Sequence, residues 1–332
     1  MQEYSGPLFL VGSPRSGTKL LRDLLNRHSV INLCNPETYF VPYLFQKHGG
    51  DPKNFDADLD QLFADFDRTP FQLYSRAMGK PTMTRADFDQ LRFARTWSDA
   101  FEIIIRFYSD GGADAQGLWG DKTPSYVLEM DLLKEIFPAA RFLHIIRDPR
   151  DVAVSAHKAW GHNVLRVAAK WARDMEAAHR SAPKLGSDYL TVHYESLLAN
   201  PGIELRRISE FLEHPFEEIM MSLTVPSENL GNAKGKLEID QNNFGKYRQA
   251  LKPRVQKRIE EIVYDVIEAT PYEVEYAERY RPLSRPALIC LTAADGMRSM
   301  MHVVRRRGLV NGVRVTIGRR IQKKRNSRIR RS

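Results

Sequence analysis

The chain has 332 residues, of which 42% are hydrophobic and 27% charged, an ordinary globular composition with length for one large domain or two small ones. Two cysteines, Cys34 and Cys290, exclude a disulfide framework and a cysteine-built metal site. The net charge of +9 is uneven: residues 281–332 carry 15 Lys/Arg against the single acid Asp295, leaving 35 bases and 40 acids before them, which excludes a uniformly basic nucleic-acid-binding protein.

The opening residues Met1 to Gly6 lead straight into the apolar run Pro7 to Val11 without the basic flank of a secretory signal. The longest later apolar run, Ala287 to Ala294 broken by Thr292, falls short of the ~20 residues that span a bilayer. A soluble, cytoplasmic protein is expected. Apolar runs of strand length then alternate with amphipathic helical patterns, which predicts an α/β fold with a central parallel sheet flanked by helices. Strands are predicted at 7–12, 31–35, 118–121, 141–146 and 188–193, with helices at 17–27, 125–136, 149–158, 163–181 and 201–213. Residues 51–116 interrupt the alternation with helical patterns alone, either as a cap over a cleft or as a layer that completes the core.

The first strand runs into Gly12-Ser13-Pro14-Arg15-Ser16-Gly17-Thr18-Lys19 and then a helix, a P-loop-like strand-loop-helix. Such a loop turns backbone N–H groups toward an anion, glycines allow close approach, and Ser16, Thr18 and Lys19 add hydroxyls and charge. The spacing fails as a Walker A loop, because Thr18 stands where a triphosphate site needs lysine. A nucleotide kinase is the disfavoured alternative. Further on, Phe142-Leu143-His144-Ile145-Ile146-Arg147-Asp148-Pro149-Arg150-Asp151-Val152-Ala153-Val154-Ser155 sets an arginine at a strand end and a serine within the following helix, where both can meet one phosphate. A salt-bridge cluster of Arg147, Asp148, Arg150 and Asp151 is the bland reading of the same residues.

Pro14-Arg15-Ser16-Gly17-Thr18 resembles the 5′-phosphosulfate loop of P-loop sulfotransferases that use 3′-phosphoadenosine 5′-phosphosulfate (PAPS), and the Arg147 to Ser155 segment resembles the second signature of that family. The resemblance covers roughly residues 7–250 in pattern and points to bacterial relatives of heparan-type and protein-tyrosine sulfotransferases. It implies that Pro14 to Lys19 hold the 5′-phosphate, that Arg147 and Ser155 bind the 3′-phosphate, and that the product is 3′,5′-ADP. Glu37, in Asn35-Pro36-Glu37-Thr38-Tyr39-Phe40 after the second strand, resembles the catalytic glutamate of these enzymes. Lys122, in Gly120-Asp121-Lys122-Thr123-Pro124-Ser125-Tyr126, resembles the lysine of the heparan-type Lys-Thr-Pro-Ser-Tyr element and would neutralise charge on the sulfuryl oxygens. Pro124 stands where cytosolic small-molecule enzymes carry a catalytic histidine, so histidine catalysis from that position is excluded. Lys246, in Gly245-Lys246-Tyr247-Arg248, resembles the element that closes over the 3′-phosphate. Another donor contact is expected within 227–240, with Ser227, Asn232 and Lys234 undecided. Arg15 either reaches the phosphosulfate or fixes the loop by pairing with an acid.

Sulfuryl transfer requires a base and cations but no metal, and no His-Glu-x-x-His or paired-cysteine spacing occurs. The expected organisation is a sulfotransferase domain over 1–280, with residues 51–116 as a helical cap insertion, and a basic extension over 281–332. That extension fits an anionic membrane surface, an acidic polymer or a purely solubilising role, and Val313, Val315 and Ile317 leave an added edge strand open. Acceptor hydroxyls on carbohydrate, tyrosine, lipid or a small molecule all remain open. A non-catalytic nucleotide- or polyanion-binding protein is the other alternative.

Overall fold

A computed structural model describes residues 4–77, 79–109, 117–226, 235 and 237–307, with side chains as far as 298. The described residues divide into two compact units, one formed by 4–147 with 177–243 and the other by 148–176 with 244–307.

The first unit holds a five-stranded sheet of β1 (Leu8–Gly12), β2 (Ile31–Cys34), β3 (Leu118–Lys122), β4 (Arg141–Ile146) and β5 (Tyr189–His193). Every pairing is parallel, in the order β2-β3-β1-β4-β5. The inner strands β1 and β4 are largely apolar and buried on both faces, as strands of a covered parallel sheet are. On β1, Phe9 and Val11 point into one core with Trp119 and Phe142, while Leu8 and Leu10 point into another with Leu33, Leu143 and Ile145.

On the Leu8 side, α1 (Thr18–Leu25), α10 (Tyr194–Ala199) and α11 (Pro201–Phe211) contribute Leu21, Leu24, Leu197 and Ile208 to the core. On the Phe9 side lie α2 (Val41–His48), α3 (Leu59–Asp67), α4 (Pro70–Ala77), α5 (Arg85–Phe88), α6 (Trp97–Phe107) and α7 (Met130–Ile136). The insertion is therefore core-forming: Phe66 and Phe71 pack edge-on against Phe40 at 5.2 and 5.0 Å between ring centres. Both α5 and α6 start at capping boxes, Thr84 with Asp87 and Thr96 with Asp99.

One predicted helix is corrected. Residues 125–136 are a 3₁₀ turn, Pro124–Leu128, followed by α7, with Glu129 between them at φ −123°. Tyr126 explains the break, because its hydroxyl is drawn to Thr38 Oγ1 (2.7 Å) and to the Val41 N–H (3.3 Å).

The second unit contains α8 (Pro149–Trp160), the first half of α9 (Val164–Leu185), α12 (Tyr247–Ala250), α13 (Pro253–Ile267) and α14 (Arg285–Arg307). Asn163 caps α9 through its Oδ1, and its own N–H donates to Asp295 of α14 at 3.0 Å. The one acid of the basic segment is thus buried and paired, with Arg166 donating to it as well. Val313, Val315 and Ile317, and the contacts sought at Ser227, Asn232 and Lys234, lie outside the described residues.

Candidate active site

Parallel pairing brings the loops after β1, β2, β3 and β4 to one edge of the sheet, where open α/β sheets bind ligands. Register sets their depth: Leu10 pairs with Lys122 and Cys34 with Asp121.

The β1–α1 loop contains two residues with left-handed backbone, Arg15 at φ 74° and Gly17 at φ 93°. Gly17 is the N-cap of α1 and brings no capping side chain, so the first-turn N–H groups face the loop rather than a capping oxygen. Glycine is also required by space, since a Cβ there would stand 2.3 Å from Tyr194 Cδ2. At Gly12, φ is 150° and a Cβ would meet the Ile145 carbonyl oxygen at 2.5 Å. Ser16 is fully buried, and its Oγ has no hydrogen-bond partner among the described residues. A hydroxyl left in that state beside N–H groups fits an anionic ligand, because burying it without a partner is costly. Thr18 is buried, while Pro14, Arg15 and Lys19 are half-buried.

Arg147, at the end of β4, donates to the Arg15 carbonyl oxygen at 3.3 Å and to that of Asn243 at 2.7 Å. Its guanidinium lies 4.4 Å from the centre of the Tyr194 ring, and the Tyr194 hydroxyl accepts from Asn243 Nδ2 at 2.8 Å. Tyr194 therefore sits against both Gly17 and Arg147, joining the loop to the arginine. The sequence had offered no role for it.

Glu37 and Lys122 meet across the β2 and β3 ends, with Nζ donating to Oε1 at 2.5 Å. Lys122 is buried and Glu37 partly exposed. Glu37 Oε2 accepts from the Tyr39 hydroxyl. The loop carrying Glu37 is fastened to β3 and the turn after it: the Thr38 N–H donates to Thr123 Oγ1 (3.0 Å) and Asp121 Oδ1 (3.3 Å). From the insertion, Lys80 Nζ donates to the Asn35 carbonyl oxygen at 3.1 Å. Asp121 is fully buried, and burial pushes its carboxyl up to about 7 against the pull of Thr123 and Lys122. His144, buried on β4, has Nδ1 2.5 Å from the Tyr189 hydroxyl, and burial lowers it to about 3, so it is packed and neutral.

In the second unit, Asp151 on α8 accepts from the N–H groups of Gly245 (2.6 Å) and Tyr247 (3.0 Å), the residues on either side of Lys246. Ser155 lies one turn further along α8 on the same side as Asp151. Of the acids and bases that the sequence groups as one cluster, Arg150 and Asp148 do pair. Arg150 pairs with Asp148 (2.8 Å) and Glu260 (2.9 Å) in a buried network, with its guanidinium 4.2 Å from the Tyr247 ring centre.

A parallel α/β sheet thus carries a glycine-containing loop on its central strand and an acid–lysine pair at the same edge, where such sheets bind ligands. The model of the sulfotransferase family matches residues 7–218, and the chain belongs to that family. It is 24% identical over 238 residues to protein-tyrosine sulfotransferase 1 of Danio rerio, covering 69% of this chain and 58% of that one. It is 24% identical over 225 residues to the protein-tyrosine sulfotransferase of Drosophila melanogaster, covering 64% and 39%. The chain thus spans roughly half the length of these relatives or less. Among solved structures, the sulfotransferase domain of the Synechococcus PCC 7002 olefin synthase matches with a TM-score of 0.57 at 21% identity, over 82% of this chain and 98% of that one. That likeness is one of fold.

Among the described residues, no helix is long and apolar enough to cross a membrane.

Proposed function

We propose that this chain transfers a sulfuryl group from PAPS to an acceptor hydroxyl, with Glu37 as general base and Lys122 as electrophilic stabiliser. The observation that carries the reading is the Glu37–Lys122 contact at the sheet edge that also bears the Gly12–Lys19 loop. PAPS supplies an activated sulfuryl group and a phosphate leaving group. The buried Ser16 hydroxyl, the first-turn N–H groups of α1, Lys19 and Arg15 suit the 5′-phosphosulfate end. Arg147 is assigned to the 3′-phosphate, which offers the charge that an arginine fork binds best.

Glu37 takes the proton of the acceptor hydroxyl, and the ammonium of Lys122 offsets charge that grows on the sulfuryl and leaving oxygens. An ammonium cannot accept the proton, so the two roles do not exchange. The similarity to protein-tyrosine sulfotransferases favours testing a phenolic hydroxyl first.

The test is transfer of label from ³⁵S-PAPS to a panel of a tyrosine peptide, an oligosaccharide and a hydroxylated lipid. Glu37→Gln keeps the side-chain shape and removes the base, so turnover should fall about 10²–10⁴-fold, with 3′,5′-ADP affinity nearly unchanged. Near-normal turnover by that variant removes Glu37 from the mechanism. Tight binding of ATP with magnesium in place of 3′,5′-ADP revives the kinase alternative.

A further inference from the structure

Tyr39 has an unusual backbone and an unusual neighbour. Its φ is 48°, in the left-handed region that costs a bulky residue on the order of 1–3 kcal/mol. The conformation is held from both sides. Thr38 is fully buried and bonded to Thr123 and Tyr126, and Phe40 is buried against Phe66 and Phe71. Between these two anchors the chain turns so that the Tyr39 hydroxyl returns to Glu37 Oε2, while the ring remains 48% exposed. The two oxygens of Glu37 therefore have different partners, Lys122 on Oε1 and Tyr39 on Oε2.

We infer that Tyr39 is a positioning residue for the base: it retains Oε2 of Glu37 throughout the reaction, so that Oε1 is the oxygen that receives the acceptor proton. This rests on the reading of Glu37 as general base. As Lys122 turns from Oε1 to the sulfuryl oxygens, the carboxylate would lose the cation that anchors it here and would need a second donor to keep its place. Tyr39 supplies that donor from a half-exposed ring whose place is fixed by the strained turn. In the step itself the acceptor O–H proton passes to Glu37 Oε1, and the acceptor oxygen forms its bond to sulfur. The bond from sulfur to the 5′-phosphate oxygen breaks, with its electron pair leaving on 3′,5′-ADP.

The experiment is a double-mutant cycle of Tyr39→Phe and Glu37→Gln in the full chain, read as 3′,5′-ADP release from PAPS with water as acceptor. Calorimetric 3′,5′-ADP affinity is the control for folding and donor binding. Removing only the hydroxyl should lower turnover about tenfold when Glu37 is intact. Added to the Glu37→Gln variant, the same change should cost less than about twofold, because no base remains to be positioned. The 3′,5′-ADP affinity should stay within about twofold in all four proteins. If Glu37→Gln abolishes turnover while Tyr39→Phe leaves it intact, or if the two losses are additive, the inference fails and the base assignment stands. If Glu37→Gln turns over normally, both fail.

Discussion

Replacing Gly17 with alanine tests how the phosphate loop is joined to Arg147. At φ 93° a Cβ-bearing residue costs about 1–2 kcal/mol relative to glycine. The added methyl would also lie 2.3 and 2.5 Å from two ring carbons of Tyr194, more than 1 Å inside the contact distance of about 3.5–4.0 Å. Tyr194 cannot swing into solvent, being buried, bonded to Asn243 and stacked on Arg147. Forcing a ring to shift in a packed site costs about 1–3 kcal/mol, so the total is about 2–5 kcal/mol. Moving the ring also disturbs Arg147, whose Nη2 holds the carbonyl of the same Asn243. Denaturant unfolding should therefore show that loss, and calorimetry a fall in 3′,5′-ADP affinity of at least about tenfold. In a cycle with Tyr194→Ala the steric part should vanish, leaving a coupling of about 1–3 kcal/mol. A Gly17→Ala protein of wild-type stability and affinity, or strictly additive losses, would refute this account of the loop.

Asp121→Asn should stabilise the protein at neutral pH. The folded carboxyl keeps its proton up to about 7, whereas an ordinary aspartate releases it near pH ~3.9, so the folded state binds more protons in between and stability falls as pH rises through that window. An amide carries no such penalty, and its gain over wild type should grow from near zero at pH ~4 to on the order of 4 kcal/mol above pH ~7; a difference independent of pH would contradict it. Arg150→Ala removes a buried cation from Asp148 and Glu260 and should cost about 3–5 kcal/mol in unfolding experiments. A loss below about 0.5 kcal/mol, as at ordinary surface sites, would show that the network is not desolvated. Asp295→Ala removes the acceptor for the Asn163 N–H and Arg166 and should lower stability by about 1–3 kcal/mol, whereas a solubilising tail residue would change nothing.

Much of the first unit was legible because its signals are local. Five apolar runs became the five strands within two residues, since a sheet covered on both faces needs continuous apolar strands. Glu37 and Lys122 were singled out separately, and the β2–β3 register then brought them together. What stayed hidden depends on contacts between distant residues. Tyr194 serves Gly17 and Arg147 from a helix start that reads as any buried aromatic. Asp151 looked like one more charge in a cluster, yet it grips amides 94 and 96 residues away. Tyr126 pulled apart a predicted helix through hydrogen bonds to the Glu37 loop, which no periodicity encodes. Conversely, α9 continues through Pro183 to Leu185, beyond the predicted end at 181, because a proline in the last turn forfeits only one helical bond. The segment after 281 was read by its charge, and that hid a helix whose single acid is buried.

The central claim is that the chain binds a nucleotide carrying both 5′- and 3′-phosphates, and calorimetry with 3′,5′-ADP and adenosine 5′-phosphate, each with a chelator present, tests it most directly. The account predicts clear preference for 3′,5′-ADP, binding that needs no added metal, and a loss of about 1.5–3 kcal/mol for 3′,5′-ADP in Arg147→Ala with little change for adenosine 5′-phosphate. Equal affinity for the two nucleotides, or equal losses for both in Arg147→Ala, would contradict it.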